Sequence, residues 1–138
     1  MAITLNGSTG ITTADIAATT LTVNAGFGSN ATAYGCRAWV NFNGTGTVAI
    51  RDSGNVSSIT DNATGNYTFN FSTAMPDINY NVVCGTSPSG SRATHQIQLF
   101  SAASWATQAP TTSAFRFLTP IDLTSLTDIE YVCLSVFR

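Results

Sequence analysis

Apolar and polar residues alternate along most of the chain after residue 33. In the run YGCRAWVNF, every second residue from Tyr34 to Phe42 lies on one predicted face, and Arg37, Trp39 and Asn41 lie on the other. Alternation with a period of two is typical of a β-strand that buries one face. The pattern therefore predicts strands through this part of the chain, with no helix of ordinary length.

Short clusters of Asn, Gly, Asp and Ser separate the alternating runs. Asn43–Gly46, Asp52–Asn55 and Asn62–Gly65 are such clusters. Asn and Gly tolerate the positive φ angles that tight hairpin turns require. The turns divide the chain into about eight strands at the spacing of an antiparallel sandwich or barrel. We therefore predict an all-β fold, an antiparallel β-sandwich of jelly-roll-like form with an extended N-terminal β segment.

The first 33 residues differ in composition from the rest. They contain one aromatic residue, Phe27, and much Thr, Ala and Gly. A segment with so few large side chains buries too little apolar surface to form its own core. We predict that residues 1–33 pair with neighbouring chains or dock on another protein, and that residues 34–138 form the sandwich domain.

The chain carries little charge. Charged residues make up 9% of the chain, lysine is absent and the net charge is −2, whereas about 25% charged residues is usual. Nucleic-acid binding needs a basic surface, and membrane insertion needs an apolar stretch of about 20 residues. We predict neither partner. A surface of Thr, Ser and Asn instead suits a protein that packs among identical copies.

The residues that bind metals or catalyse reactions are few. The three cysteines, Cys36, Cys84 and Cys133, are widely spaced, and His95 is the one histidine. This set does not predict a zinc site, and no motif predicts a cofactor. Each cysteine lies in an apolar run, which predicts buried thiols that act as small hydrophobes.

Catalysis is not predicted either. A Ser-His-Asp triad would have to use His95, which lies within a strand-like alternation. Most of the seven acids fall at turns, where Asp bonds to nearby backbone. We predict no catalytic residue and no enzyme activity. The alternative is a pair of carboxylates that the fold brings together, which would hydrolyse glycans.

Three residues are candidate receptor contacts. Trp105 lies in the longest predicted loop, where a tryptophan can stack on a sugar or anchor the loop on the core. Arg92 and His95 flank the turn that follows Pro88, and they would contact a ligand if this turn forms an exposed tip.

The run Arg37–Gly46, together with Asn55–Asp61, Gly65–Phe71, Ala74–Asp77 and Tyr80, resembles a segment of tail-fibre-like and small structural proteins of tailed bacteriophages of cyanobacteria and other aquatic bacteria. The resemblance covers residues 37–80 well and the first 30 loosely, and it carries no catalytic motif. It implies a virion protein that assembles as a homotrimer in the cytoplasm of a bacterial host.

These observations lead to one main hypothesis and two alternatives. The main hypothesis is a short trimeric fibre or adhesin that attaches to tail, baseplate or capsid proteins through residues 1–33 and presents its sandwich to a host-surface glycan. Several weak sites on one particle would then give firm attachment. The first alternative is a capsid decoration or cement protein that stabilises the head, and the second is a glycan-cleaving enzyme.

Overall fold

The computed structural model describes residues 22–23, 31–32, 35–87, 97–99, 109–122 and 125–138. The chain divides into two compact units, Met1–Ala33 and Tyr34–Arg138. In the first unit, strands β1 (Thr22–Val23) and β2 (Ala31–Thr32) form an antiparallel pair. The attachment role of residues 1–33 stays a prediction.

Eight strands of the second unit form two antiparallel sheets of four strands each. They are β3 (Cys36–Asn43), β4 (Ala49–Gly54), β5 (Val56–Ala63), β6 (Asn66–Phe71), β7 (Asn81–Ser87), β8 (Gln98–Leu99), β9 (Ala114–Leu118) and β10 (Tyr131–Phe137). Sheet I has the strand order β4-β3-β10-β7, and sheet II has the order β5-β6-β9-β8. The described ranges contain no helix. The predicted antiparallel β-sandwich of about eight strands is confirmed.

The core lies between the two sheets. On β3, Ala38, Val40 and Phe42 are buried, as the alternation of the sequence predicts. The Phe42 ring makes edge contacts across the core with Tyr67 and Phe117 of sheet II, at centroid distances of 5.4 and 6.1 Å. Each aromatic pair of this kind adds about 0.5–1.5 kcal/mol beyond the area that it buries. The aromatic part of the core therefore lies mainly on sheet II, and Phe42 joins the otherwise aliphatic inner face of sheet I to it.

A single residue carries the chain from sheet I to sheet II. Asn55 separates β4 from β5 and has a φ angle of 56°. Its side-chain amide donates to the carbonyl oxygens of Arg37 and Thr73 at 3.2 and 3.1 Å, and its Oδ1 accepts from the Thr73 N–H at 2.7 Å. Asn tolerates the left-handed region better than other residues with a Cβ, so it suits this crossing.

A buried tyrosine connects distant parts of the chain. The Tyr67 hydroxyl donates to Asp128 Oδ1 at 2.6 Å and lies 3.1 Å from the Gly44 carbonyl oxygen. The Gly65 N–H donates to the same carboxylate oxygen at 2.7 Å, and the Gly44 N–H donates to the Ile129 carbonyl at 2.9 Å. Burial, with a smaller contribution from Asp128, raises the pKa of Tyr67 far above its usual value.

The prediction that the cysteines are buried is wrong. Cys36, Cys84 and Cys133 are free and exposed. On β10 the buried residues are Val132 and Leu134, so Cys133 between them lies on the outer face. Cys84 lies opposite Leu134, but on the edge strand β7. In an apolar run such as YVCLSVF, the sequence does not show which alternate residues face the core. Cys133 belongs to the alternate residues that face outward.

Replacement of Asn55 separates backbone strain from side-chain bonding. Asn55→Gly removes the side-chain hydrogen bonds and keeps the favourable φ, so we expect a loss of about 1 kcal/mol in the free energy of unfolding. Asn55→Ala also removes the hydrogen bonds, and alanine is strained at this positive φ. We therefore expect it to be about 1–2 kcal/mol less stable than Asn55→Gly. Urea unfolding of both variants measures the difference. Equal losses would contradict a strained crossing at this residue.

The buried tyrosines predict a loss of stability at alkaline pH. Burial raises the pKa of Tyr80 to about 12, and the pKa of Tyr67 is raised further, from the same ordinary value of 10.0. Above pH 10 the unfolded chain releases these protons while the folded chain keeps them, so the free energy of unfolding falls as pH rises. Urea unfolding between pH 7 and about 11.5 measures this slope.

Tyr67→Phe tests the tyrosine contribution directly. We expect a loss of about 1–2 kcal/mol at neutral pH, because Asp128 loses a buried hydrogen bond, and a shallower fall in stability above pH 10. The exposed Tyr131→Phe is the control for loss of a hydroxyl. An alkaline slope that is identical in wild type and Tyr67→Phe would show that other groups cause it.

Candidate functional site

The candidate receptor contacts from the sequence are Trp105, Arg92 and His95. All three lie outside the described residues, so their roles remain predictions. The outer surfaces of the two sheets differ, and the candidate site lies on sheet I.

The outer surface of sheet II is a network of polar side chains that bond to one another. The Asn70 amide nitrogen lies 3.1 Å from Ser58 Oγ and 2.9 Å from Thr60 Oγ1. Asn62 Nδ2 donates to Thr68 Oγ1 at 2.9 Å on the same surface. Because these groups satisfy one another, the surface gains little from a polar ligand.

The outer surface of sheet I carries aromatic and cationic side chains instead. We call it the aromatic face and define it by Arg37, Trp39, Asn41, Arg51 and Tyr131. The residues of β3 in this set alternate with its buried residues. Trp39 and Tyr131 are 40% and 43% exposed, which is high for aromatic side chains on a sheet. These two exposed aromatic side chains, one on β3 and one on β10, make this face the candidate contact surface.

The Trp39 indole lies against the backbone of the neighbouring strand. Trp39 is opposite Gly54 in the β3–β4 register. A Cβ placed on Gly54 would lie only 2.8 Å from Cδ1 of Trp39, so glycine leaves the space that the indole occupies. The Cδ1–Nε1 edge of the indole thus packs closely on β4, while the side chain stays 40% exposed on the outside of the sheet.

A β-bulge directs Arg51 across sheet I. Asn41 is opposite Asp52 and Phe42 is opposite Ile50, so Arg51 is the extra residue on β4. Its guanidinium carbon lies 4.1 Å from the centroid of the Tyr131 ring, two strands away. Its Nη1 donates to the Glu130 carbonyl oxygen at 2.7 Å and, less favourably, to Asn41 Oδ1 at 3.4 Å. Stacking and hydrogen bonding thus hold the Arg51 side chain over β10.

The arrangement suits an extended ligand with both apolar and hydroxyl groups. From Trp39 to the level of Tyr131 is four residues along the strands, or roughly 13 Å at about 3.4 Å per residue. The Trp39 indole stands at one end and the Arg51 guanidinium, stacked on Tyr131, stands at the other, with Asn41 on β3 between them. A pyranose ring has an apolar C–H face that packs on an aromatic ring, and hydroxyls that pair with such donors and acceptors.

The acids of the described ranges are mostly engaged with nearby backbone. A carboxylate oxygen accepts a backbone N–H at four of them: Asp52 from Ser53, Asp77 from Asn79, Asp122 from Ser125 and Asp128 from Gly65. Asp77 also forms an ion pair with Arg138, whose hydrogen bond holds the pKa of Asp77 below its usual value. These contacts agree with the expectation that Asp serves the turns. The absence of enzyme activity stays a prediction.

The described ranges hold no group of three or more His, Cys, Asp or Glu side chains that could bind a metal ion. In the same part of the chain, no helix is long and apolar enough to cross a bilayer. An open pocket of about 370 Å³ is lined by Asn79, Asn81, Phe137 and Arg138.

The sequence contained a partial signal for this site. The alternation placed Arg37, Trp39 and Asn41 on one face, opposite the apolar residues of β3. A tryptophan among polar residues on the outward face of a strand was therefore a visible candidate. Arg51 and Tyr131 gave no such signal, because a bulge and the pairing of β3 with β10 bring them together.

Comparison with known proteins finds no family model that matches the chain, no similar curated protein and no similar solved structure. The interpretation of the aromatic face therefore depends on its own geometry and chemistry. The phage structural class that residues 37–80 predict stays a prediction, and it carries no residue role.

Replacement of Gly54 tests the support of the indole. In a Trp105→Phe background, Gly54→Ala should displace the indole of Trp39 from β4, because the new methyl group takes its space. We expect stronger acrylamide quenching of the Trp39 fluorescence. Gly85→Ala is the matched control, since a Cβ there meets no atom within 4 Å. Equal quenching in the two variants would show that the indole does not depend on Gly54.

Proposed function

We propose that the sandwich domain binds a glycan through the aromatic face. The observation that carries this proposal is the exposed Trp39 indole, which packs against Gly54 of β4 on the face that also carries Asn41 and Arg51. A sugar that packs its C–H face on the indole would bury apolar surface on both partners, and its hydroxyls would find hydrogen-bond partners on either side.

We further propose that the protein is a short trimeric virion fibre or adhesin, and that the glycan is on the host surface. The virion location and the trimer are supported by the resemblance of residues 37–80 alone. The open shape of the face supports a weak single site, since it encloses little of a ligand. Three copies on a fibre, and several fibres on a particle, would raise the effective affinity.

A capsid decoration protein is the second candidate. Val83 is 54% exposed and lies opposite Ser135, the neighbour of Trp39 in the sheet. A branched aliphatic side chain offers no hydrogen bond to a sugar and packs well against a protein. This observation favours a protein partner on the β7 side of sheet I.

Truncation of the indole tests glycan binding. The purified protein is applied to a panel of neutral and acidic oligosaccharides and to intact host cells. We expect Trp39→Ala to weaken binding about tenfold or more, since stacking and burial of the indole are worth about 1.5 kcal/mol or more. Ile121→Ala is the control: Ile121 is 41% exposed, almost the same as Trp39, and lies outside both sheets.

Two outcomes would overturn the glycan proposal. One is a folded wild-type protein that binds neither panel nor cells but binds saturably to capsids that lack it, which would support the decoration role. The other is a change of oligomeric state in Trp39→Ala, seen by light scattering, with glycan binding unchanged per folded subunit. In that case the aromatic face is a contact between subunits.

A further inference from the structure

We infer that the ligand of the aromatic face is an acidic glycan, whose carboxylate binds the guanidinium of Arg51. This inference rests on the proposed function and names the class of its ligand. Three observations support it: the unused edge of Arg51, the rigid placement of that side chain, and the lack of ion pairs on this face.

The first observation concerns the hydrogen bonds of Arg51. Both contacts to the chain use Nη1, one to the Glu130 carbonyl and one to Asn41 Oδ1. The Nε–H and Nη2–H groups make no hydrogen bond with any residue that the structure describes. These two groups lie along one edge of the planar guanidinium and match the two oxygens of a carboxylate. Among the described residues, the Nε–Nη2 edge of Arg51 therefore remains open to the carboxylate of a ligand.

The second observation is that the Arg51 side chain is held before a ligand arrives. Its guanidinium stacks over the Tyr131 ring at 4.1 Å and donates to the Glu130 carbonyl at 2.7 Å. An arginine on the surface usually loses side-chain freedom when it binds a ligand. Here the β-bulge and Tyr131 already restrict the side chain, so binding of an anionic group costs less conformational entropy and is tighter.

The third observation is the charge balance of the face. Within the described ranges the ion pair is Arg138 with Asp77, and neither Arg37 nor Arg51 has a carboxylate within ion-pairing distance. Asp52 lies next to Asn41 in the register, and its Oδ1 accepts the Ser53 N–H. Among the described residues, neither guanidinium group of this face is therefore neutralised by an ion pair.

The positions of these groups fit a sugar on the indole. On β3, Arg37 lies two residues before Trp39, and Asn41, which contacts Arg51, lies two residues after it. Two residues of strand span roughly 7 Å. A cation thus lies on each side of the stacking surface, within reach of the carboxylate of a sugar bound there or of its neighbour in the glycan.

The test compares acidic oligosaccharides that contain uronic or sialic acid with their carboxyl-reduced, neutral counterparts. We expect the wild type to bind the acidic form at least tenfold more tightly at low salt, with a smaller difference at high salt. Arg51→Gln should abolish this preference. Arg51→Lys keeps the charge but loses the planar edge, so it should retain only part of the preference.

Arg116→Gln is the control for net charge. Arg116 lies on β9 of sheet II, where its Nε donates to Asn66 Oδ1 at 2.6 Å, and glutamine retains an N–H donor. It should leave the preference intact. Equal binding of acidic and neutral forms, unaffected by Arg51→Gln but lost in Trp39→Ala, would overturn this inference and leave the proposed function standing. Failure of every oligosaccharide to bind would overturn both.

Discussion

The hydrogen bond from Tyr67 to Asp128, inside an aromatic core, is the constraint on which the rest of the structure depends. Asp128 lies just before β10 and also accepts the Gly65 N–H from the β5–β6 turn, while the Tyr67 hydroxyl lies close to Gly44 at the end of β3. The bond therefore fixes where β10 enters sheet I. Since β10 pairs with both β3 and β7, the position of the aromatic face follows from this buried contact.

Both outer surfaces of the sandwich carry few charged side chains, but their polar side chains are bonded differently. On sheet II, Ser, Thr and Asn side chains bond to one another, as Asn70 does with Ser58 and Thr60. On sheet I, Arg51 bonds to Asn41 and to the Glu130 carbonyl through Nη1, and within the described residues neither Arg37 nor Arg51 forms an ion pair. Few charged residues are needed for a polar surface when amides and hydroxyls satisfy one another.

The glycan proposal and the acidic-ligand inference depend on different features of one face. Stacking requires the Trp39 indole and the glycine beneath it, which are local consequences of β3 and β4 pairing. Charge recognition requires Arg51 to reach β10, which is a consequence of the bulge. Because the two features can be removed independently, the apolar and ionic parts of recognition can be separated by substitution. The face is open, so its affinity per site is expected to be modest.

Much of the fold, and a part of the site, was determined by the sequence itself. Alternation placed Ala38, Val40 and Phe42 inward and Trp39 outward, and turn residues marked the hairpins, because both signals are local. The tertiary structure alone decided that Cys133 faces outward and that Arg51 reaches Tyr131. An apolar run fits either face of a strand, and the register between strands some 80 residues apart in the chain depends on packing that no local pattern encodes.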